Sequence, residues 1–253
     1  MRFDRPGAHE VGVGGHEVRP YGNGRVVRVA VIDSGIHPMH PHVGEVSGGV
    51  AITREGEDDD WSDRLGHGTA VAAAIREKAP DAAIVAVKVF DRTLSVSVHA
   101  LVRAIDWAVD HECHLINMSL GTTRLEHAAR LHAAAERAAA AGVVLVAARD
   151  DAGQQFLPGS LPCVVGVTVD WHMPRDVVRG WRGRTGQVVC AASGYPREIP
   201  GVPPGRNLTG VSFAVANATG HLAHAAAGNV TRLSADPYAF AADVLIDKPL
   251  VPA

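Results

Sequence analysis

The chain has 253 residues, of which 47% are apolar and 20% charged, and it carries a formal net charge of −3 at neutral pH. That apolar fraction supports a substantial buried core and excludes an intrinsically disordered chain. The slight acidity excludes the basic surface of a nucleic-acid-binding protein, and no apolar run is long enough to span a bilayer. We therefore expect neither nucleic-acid nor membrane partners.

Short runs that are apolar at nearly every position predict buried strands. Such runs are typical of strands covered on both faces of a parallel sheet. They occupy residues 26–32, 84–90, 115–118, 143–148, 163–169 and 187–191.

Predicted helices lie between these strands. Apolar residues recur at helical spacing from residue 98 to residue 109, and residues 125–141 are rich in alanine. Residues 69–77 and 212–227 also read as helices. This alternation predicts an α/β fold with a doubly wound, mostly parallel sheet and helices on both faces.

No repeat or low-complexity linker divides the chain. We therefore expect a single domain over residues 1–253, with a core at about residues 25–228 and a C-terminal tail at residues 229–253. A glycine-rich stretch at residues 12–15 precedes the first strand instead of following it, which excludes a dinucleotide-binding fingerprint.

Polar residues of catalytic types follow the predicted strands. Asp33, Ser119 and Asp150 come at strand ends, and His67 and Ser212 lie in glycine-containing turns that open helices. Because ligands gather beyond the carboxyl ends of parallel strands, these residues have a route to one rim of the sheet. An Asp, a His and a Ser at such a rim could form a nucleophilic triad.

Three short motifs carry a resemblance to a known family. Residues 29–35 (VAVIDSG), 66–69 (GHGT) and 210–214 (GVSFA) resemble the aspartate, histidine and serine motifs of the subtilisin-like serine proteases, in the same order. Intervening segments match as well, so the likeness covers about residues 25–228. Those segments lie at residues 79–89, 116–121 and 157–167.

The resemblance implies a serine endopeptidase with no cofactor. Ser212 would attack a peptide carbonyl, His67 would transfer the proton, and Asp33 would orient the imidazole. The substrate would bind as an added strand along two edges of a cleft. Those edges would be Ser119, Leu120 and Gly121 on one side, and Leu94, Ser95 and Val96 on the other.

The oxyanion position departs from the family pattern. The family asparagine that donates to the oxyanion corresponds to Asp150, which would repel that charge when ionised and could donate only when protonated. The threonine before the serine, often a second donor, is Val211. The backbone N–H of Ser212 and the dipole of its helix remain, and Arg149 or Asn207 could compensate.

No metal site is expected. The family calcium loop normally interrupts the helix after the histidine motif, but residues 70–78 continue without one, and a family calcium ligand corresponds to His42. His37, His40 and His42 share one loop and could bind a transition metal. A solvated, proline-rich turn is the preferred interpretation.

An acidic stretch lies between the first strand and His67. A solvated loop is the preferred interpretation. The alternative is a negative field that attracts Arg- or Lys-bearing peptides into the cleft, to which Asp150 and Asp151 would add. The stretch consists of Glu55, Glu57, Asp58, Asp59, Asp60 and Asp63.

Cysteine usage and the N-terminal sequence predict a cytoplasmic protein. Cys113, Cys163 and Cys190 have no paired spacing, so free thiols are expected. Residues 1–15 lack the apolar region of a secretory signal. The short segment before Asp33 also predicts a catalytic domain that folds without a prodomain.

Three functions remain open from the sequence. The first is a cytosolic serine endopeptidase that processes one specific peptide or protein. The second is a pseudoprotease that grips a peptide without cutting it, which the changes at Asp150 and Val211 motivate. The third is an acyl-transfer relative that ligates or cyclises its substrate. The sequence leaves the P1 preference and the oligomeric state open.

Overall fold

The structure is a computed structural model that describes residues 26–151, 153–203 and 206–246. Its central sheet has nine strands. They are Arg28–Asp33 (β1), Gly49–Ile52 (β2), Glu57–Asp58 (β3), Ala83–Lys88 (β4), Leu115–Met118 (β5), Val144–Ala148 (β6), Val165–Val169 (β9), Val178–Arg182 (β10) and Val188–Ala192 (β11). A separate hairpin pairs Asp150–Asp151 (β7) with Gln154–Gln155 (β8).

Six α-helices accompany the sheet in the described part of the chain. They are His67–Lys78 (α1), Val98–Asp110 (α2), Ala128–Ala140 (α3), Val211–Ala226 (α4), Val230–Ala235 (α5) and Pro237–Leu245 (α6), and a 3₁₀ turn at Leu125–His127 leads into α3. None of them is both long and apolar enough to cross a bilayer.

The sheet has the predicted doubly wound topology. Its strand order is β10-β11-β9-β6-β5-β1-β4-β2-β3. The inner strands are parallel, whereas the edge strands β10 and β3 are antiparallel to their neighbours. The predicted strands and helices are confirmed, and the carboxyl ends of β1, β5 and β6 therefore meet at one rim.

Two hydrophobic layers cover the two faces of the sheet. The first layer holds α1, α4, α5 and α6, and the second holds α2 and α3. Successive residues of strand β1 point to opposite faces of the sheet. Val29 and Val31 pack into the first layer, and Ala30 and Ile32 pack into the second. This alternation explains why the strand is apolar at every position.

The core extends beyond the predicted boundary at residue 228. Val230, Leu233, Phe240 and Leu245 are buried in the same cluster as α1 and α4. A Cβ on Gly180 of β10 would lie 2.6 Å from the carbonyl oxygen of Leu245, so α6 sits directly against this edge strand. Residues 230–245 are thus part of the packed core rather than a separate tail. Residues 1–25, including the glycine-rich stretch, and residues 247–253 lie outside the described part.

Candidate active site

Asp33 and His67 form a hydrogen-bonded pair at the end of β1. His67 Nδ1 lies 2.7 Å from Asp33 Oδ1, and the aspartate side chain is almost fully buried. The same oxygen accepts a 2.8 Å hydrogen bond from the backbone N–H of Ser34. Within the described residues Asp33 Oδ2 is buried without a hydrogen-bond partner. The carboxylate is therefore held so that one oxygen faces the imidazole.

The approach of α1 to β1 depends on a glycine. His67 is the first residue of α1, and Gly66 caps the helix in the left-handed region at φ 81°. A Cβ on Gly68 would stand 2.2 Å from the carbonyl oxygen of Gly35 and 3.2 Å from Asp33 Cβ. Only a residue without a side chain lets the helix come this close, and that closeness brings His67 to Asp33.

The electrostatic environment favours a protonated His67. Burial alone would lower the pKa of the imidazole, but the hydrogen bond and charge of Asp33, with a further contribution from the charge of Asp63, raise it above its ordinary value. A base with a raised pKa accepts a proton readily, which suits it to take one from a hydroxyl.

Ser212 lies at the start of α4, beyond the carboxyl end of β5. Its hydroxyl donates to the carbonyl oxygen of Ser119 at 3.1 Å. In the described part of the chain no hydrogen bond joins Ser212 to His67, although both side chains line one cavity. Catalytic hydrogen bonds in ligand-free sites are often long and tighten only when substrate binds.

A buried polar chain supports Ser119 from below. Thr219 Oγ1 donates to Asn117 Oδ1 at 2.9 Å, and Asn117 Nδ2 donates to Ser119 Oγ at 2.8 Å. Asn117 and Thr219 are fully buried. Because α4 carries both Thr219 and Ser212, this chain connects the body of that helix to the end of β5.

The cavity that contains His67 and Ser212 has a volume of about 640 Å³. The six residues predicted to border a substrate cleft all line it, so the structure brings both predicted edges to one place. Its lining comprises His67, Phe90, Leu94, Ser95, Val96, Ser97, Val98, Leu101, Ser119, Leu120, Gly121, Thr122, Arg124, His127 and Ser212.

Comparison with known proteins shows the family to which the chain belongs. The model of the subtilase family matches residues 24–168. Subtilisin E from Bacillus subtilis (strain 168) is 33% identical over 220 residues, which cover 81% of this chain and 55% of the relative. The chain belongs to the subtilase family. A thermostable alkaline protease from Halalkalibacterium halodurans is 38% identical over 144 residues, which cover 53% of this chain and 38% of that protein.

Solved structures show the same fold. The crystal structure of a cold-adapted subtilisin-like serine proteinase superimposes with a TM-score of 0.62 at 22% identity, over 84% of this chain and 81% of that one. The crystal structure of a lanthipeptide protease gives a TM-score of 0.64 at 22% identity, over 86% and 77%. This subtilase thus spans only about half the length of subtilisin E and less of the alkaline protease, the curated relatives compared here.

In this subtilase the residue predicted to lie at the oxyanion position, Asp150, forms an ion pair. Asp150 Oδ2 accepts a short hydrogen bond from the guanidinium of Arg149, and neither Asp150 nor Val211 lines the cavity. Val211 packs against the first layer instead. Asn207, the other candidate donor, gives its amide to the carbonyl oxygen of Arg197. Among the described residues, no side chain caps the start of α4, where the Phe213 N–H donates to the Gly210 carbonyl oxygen.

The acidic stretch lies outside the cavity that holds His67. Asp58 and Asp60 line a neighbouring cavity of about 810 Å³, where Lys88 and Arg64 also lie. Asp60 is paired with Arg64. In the cavity of His67 the charged or titratable lining groups are basic, namely His67 itself, Arg124 and His127. This placement supports a solvated loop over attraction of basic peptides for the stretch as a whole. Asp63 is the exception, because it is half-buried and hydrogen-bonded to the turn that carries His67.

The histidine loop of this subtilase uses its ring nitrogens locally. His37 Nδ1 accepts from the backbone N–H of Met39, and His40 Nδ1 accepts from that of His42. Across the described residues no group of three His, Cys, Asp or Glu side chains is arranged to hold a metal ion. Helix α1 continues without a break through residue 78.

Sequence reasoning missed several residues of the site. Arg124 has no role in the sequence analysis, and His127 falls only within the alanine-rich helical segment at residues 125–141, yet both residues line the cavity with Leu120. Asp63 was read as one more acid in a loop, yet it is hydrogen-bonded to the turn that carries His67. The position of Asp63 shortly before the helix that begins at His67 could have indicated this role, because an acidic residue just before a helix commonly caps its first turn.

Proposed function

We propose that this subtilase is a serine endopeptidase that uses Asp33, His67 and Ser212 as a catalytic triad. The observation that carries the proposal is the 2.7 Å hydrogen bond between His67 Nδ1 and Asp33 Oδ1, in a site where His67 and Ser212 line the same cavity. The other ring nitrogen of His67 is then the acceptor for the Ser212 proton.

The reaction would proceed in two stages. The Ser212 hydroxyl turns from the Ser119 carbonyl to His67, Ser212 Oγ bonds to the substrate carbonyl carbon, and His67 takes the proton. Collapse of the tetrahedral intermediate breaks the C–N bond, and His67 passes that proton to the leaving amine. Water then attacks the acyl-enzyme by the same route and releases the acid and free Ser212.

Stabilisation of the oxyanion would come mainly from the backbone. Ser212 lies in the first turn of α4, where unpaired N–H groups and the helix dipole present positive charge. With Asp150 paired to Arg149, we expect slower turnover than a site with a side-chain amide would give, because removal of one such donor costs roughly 100- to 1000-fold.

The substrate would be an extended peptide with an apolar residue next to an acidic one. Phe90, Leu94, Val96 and Leu120 give the cavity an apolar wall. Arg124 supplies a positive charge at this wall, and its nearest carboxylate, Glu126 at 3.9 Å, is not among the lining residues. Backbone pairing with a chain edge would supply affinity, and these side chains would supply selectivity.

The biological role we propose is processing of one specific peptide or protein in the cytoplasm. A fold shared with a lanthipeptide protease supports peptide processing, although that structure is only 22% identical. The three cysteines are free thiols, and Cys113 and Cys190 are buried, which suits a reducing compartment. Fractionation of cells producing the protein at native level would test the location, and recovery from the medium would overturn it.

Intact-mass spectrometry after treatment with a fluorophosphonate tests the triad. Ser212 Oγ would bond to phosphorus, fluoride would leave, and His67 would take the proton. A single adduct on the parent protein and none on Ser212→Ala supports the proposal. No adduct on folded parent protein overturns it. Masses of peptide products then separate hydrolysis, which adds water, from ligation or cyclisation, which does not.

A peptide-binding pseudoprotease is the second candidate. The ion pair at Asp150 and the bond from the Ser212 hydroxyl to Ser119 favour it, because both oppose acylation. This function predicts peptide binding of equal affinity in the parent and in Ser212→Ala, with no product in either. Cleavage by the parent alone would exclude it.

A further inference from the structure

Asp63 is the centre of a hydrogen-bond cluster beside the candidate triad. Its Oδ1 accepts from Ser34 Oγ at 2.8 Å and from the backbone N–H groups of Leu65 and Gly66 at 2.9 and 2.8 Å. Its Oδ2 accepts from the backbone N–H of Thr69 at 2.9 Å and from Thr69 Oγ1 at 2.6 Å. The carboxylate thus satisfies N–H groups on both sides of His67.

This cluster joins the strand that carries Asp33 to the helix that carries His67. Ser34, which follows Asp33 directly, donates its hydroxyl to Asp63 and accepts from the backbone N–H of Gly68 at 2.9 Å. Ser34 is fully buried. Any movement of α1 relative to the end of β1 must therefore break bonds to Asp63 or Ser34.

The protonation state of Asp63 suits this role. Burial alone would raise the pKa of its carboxyl, but hydrogen bonds from Thr69, Leu65 and Gly66 hold it below its ordinary value. The group is therefore a full negative charge across the pH range in which His67 titrates.

We propose that Asp63 is a positioning residue of the active site, which locks the Asp33–His67 pair in register and places a second negative charge near the imidazolium that forms when His67 takes the Ser212 proton. The inference rests on the proposed function for its catalytic meaning. Its structural content stands on the hydrogen bonds that tie Asp63 to Ser34 on one side and to Gly66 and Thr69 on the other.

A test of Asp63 must distinguish its effect on the pKa of His67 from the effects of the other charged groups near the ring. Asp33 contacts the ring from the end of β1, and Asp63 acts from the loop before α1. Arg124 and His127 line the same cavity, and each lies within 3.9 Å of the Glu126 carboxylate. From α4, Phe213 contacts the His67 ring. Asp60, three residues before Asp63, is paired with Arg64 at the surface and is not among the groups that raise the pKa of His67.

The first experiment is an NMR titration of the His67 imidazole in the full chain, which needs no activity. With labelled histidine, the His67 signal is assigned by its loss in His67→Gln. In Asp63→Asn the midpoint is expected to move to lower pH, with at least about a twofold change in the apparent proton dissociation constant. Asp60→Asn is the matched control and should leave the midpoint in place. Coincident midpoints for the parent and Asp63→Asn would overturn the electrostatic half of the proposal.

The second experiment follows the rate of fluorophosphonate labelling against pH. Asp63→Asn should lower the labelling rate at the high-pH plateau at least tenfold. It should also shift the acid limb, the pH range over which the rate rises to that plateau, to lower pH. A purely structural defect would lower the plateau rate alone. Thr69→Val removes the 2.6 Å donor and keeps the charge, so it should lower the plateau several-fold without moving the limb. This variant also tests positioning if Asp63→Asn fails to fold. An unchanged plateau in Thr69→Val would overturn the positioning half.

The two experiments separate this proposal from the proposed function. If Asp63→Asn moves the His67 midpoint but the parent never reacts with fluorophosphonate, the proposed peptidase function fails and the link between Asp63 and His67 stands. If the parent reacts but Asp63→Asn leaves the midpoint in place, the proposed function stands and the electrostatic link fails.

Discussion

Ser119 and Ser212 exchange reciprocal hydrogen bonds between the end of β5 and the start of α4. The Ser212 hydroxyl donates to the Ser119 carbonyl at 3.1 Å, and the Ser119 hydroxyl donates to the Ser212 carbonyl at 3.4 Å. The proposed nucleophile is therefore held in the ligand-free protein by a backbone oxygen, and it must leave that oxygen to reach His67.

Ser119→Ala tests whether the hydrogen bond from the Ser119 hydroxyl to the Ser212 carbonyl affects the reactivity of Ser212. The carbonyl that holds Ser212 survives, so we expect the fluorophosphonate labelling rate to fall less than tenfold. The variant leaves the buried amide of Asn117 without its partner, which should lower the free energy of unfolding by about 1–3 kcal/mol. Denaturant titration measures the second quantity. A loss of labelling equal to that of Ser212→Ala would place the Ser119 hydroxyl in the chemistry.

Gly68→Ala should abolish labelling and destabilise the fold. A Cβ there would stand 2.2 Å from the Gly35 carbonyl oxygen, so α1 must move away from β1 and His67 with it. Overpacking of this kind costs about 1–3 kcal/mol. Gly183→Ala is the matched control, because its Cβ would meet only ordinary contacts from 3.4 Å. Equal labelling of the two variants would show that the close approach at Gly68 is dispensable.

The labelling rate should rise with pH to a plateau. The acting base is neutral His67, and its pKa is raised above the ordinary value of 6.5 because Asp33 outweighs the effect of burial. The rate is therefore lost as pH falls through that raised pKa, and the midpoint should lie above 6.5. A stopped assay across neutral pH measures it. A midpoint below the ordinary value would mean that desolvation dominates over Asp33.

Charge reversal at Arg124 tests the proposed substrate class. In a peptide library, Arg124→Glu should reduce cleavage of peptides with an acidic residue beside the apolar one, by roughly 3- to 10-fold for an exposed charge. Basic peptides should gain. Arg130→Glu is the control, because Arg130 is exposed on α3 and does not line the cavity. An unchanged profile in Arg124→Glu would remove Arg124 from substrate selection.

Asp150→Asn should accelerate acylation. It removes the negative charge at the position that corresponds to the family donor and frees Arg149 from its pair. We expect a gain of about tenfold or more, below the roughly 100- to 1000-fold that one oxyanion donor is worth. Single-turnover kinetics with an activated ester measures it. No gain would show that the backbone at Ser212 alone stabilises the oxyanion.

The sequence predicts the sheet well because its strands are buried on both faces. Continuous apolar runs such as residues 26–32 and 143–148 have few other interpretations in a chain with helical segments between them. The sequence analysis did not predict the edge strands Glu57–Asp58 and Val178–Arg182. The first is entirely acidic and the second mixes charged residues with Val, Gly and Trp, so neither is a continuous apolar run. Helix α6 was not predicted, because its apolar residues lie within the segment assigned to the C-terminal tail.

The sequence predicts a site residue best when a side chain of a catalytic type stands at the end of a strand or the start of a helix. Asp33, His67 and Ser212 each lie at a strand end or helix start, so topology alone brings them to one rim. The direction of a side chain is set by neighbours that no local pattern reveals. Asp150 turns to Arg149, and the Ser212 hydroxyl turns to Ser119, because those partners are nearest in space.

The two layers of the fold divide the site between them. His67 and Ser212 come from α1 and α4, which share the first layer, whereas Leu101, Arg124 and His127 come from α2 and the turn before α3, which cover the opposite face. The side chains proposed to select the peptide and those proposed to carry the chemistry therefore come largely from different helices. For evolution or for engineering, α2 and the turn before α3 are the places where peptide preference can be changed while α1 and α4 keep their sequences.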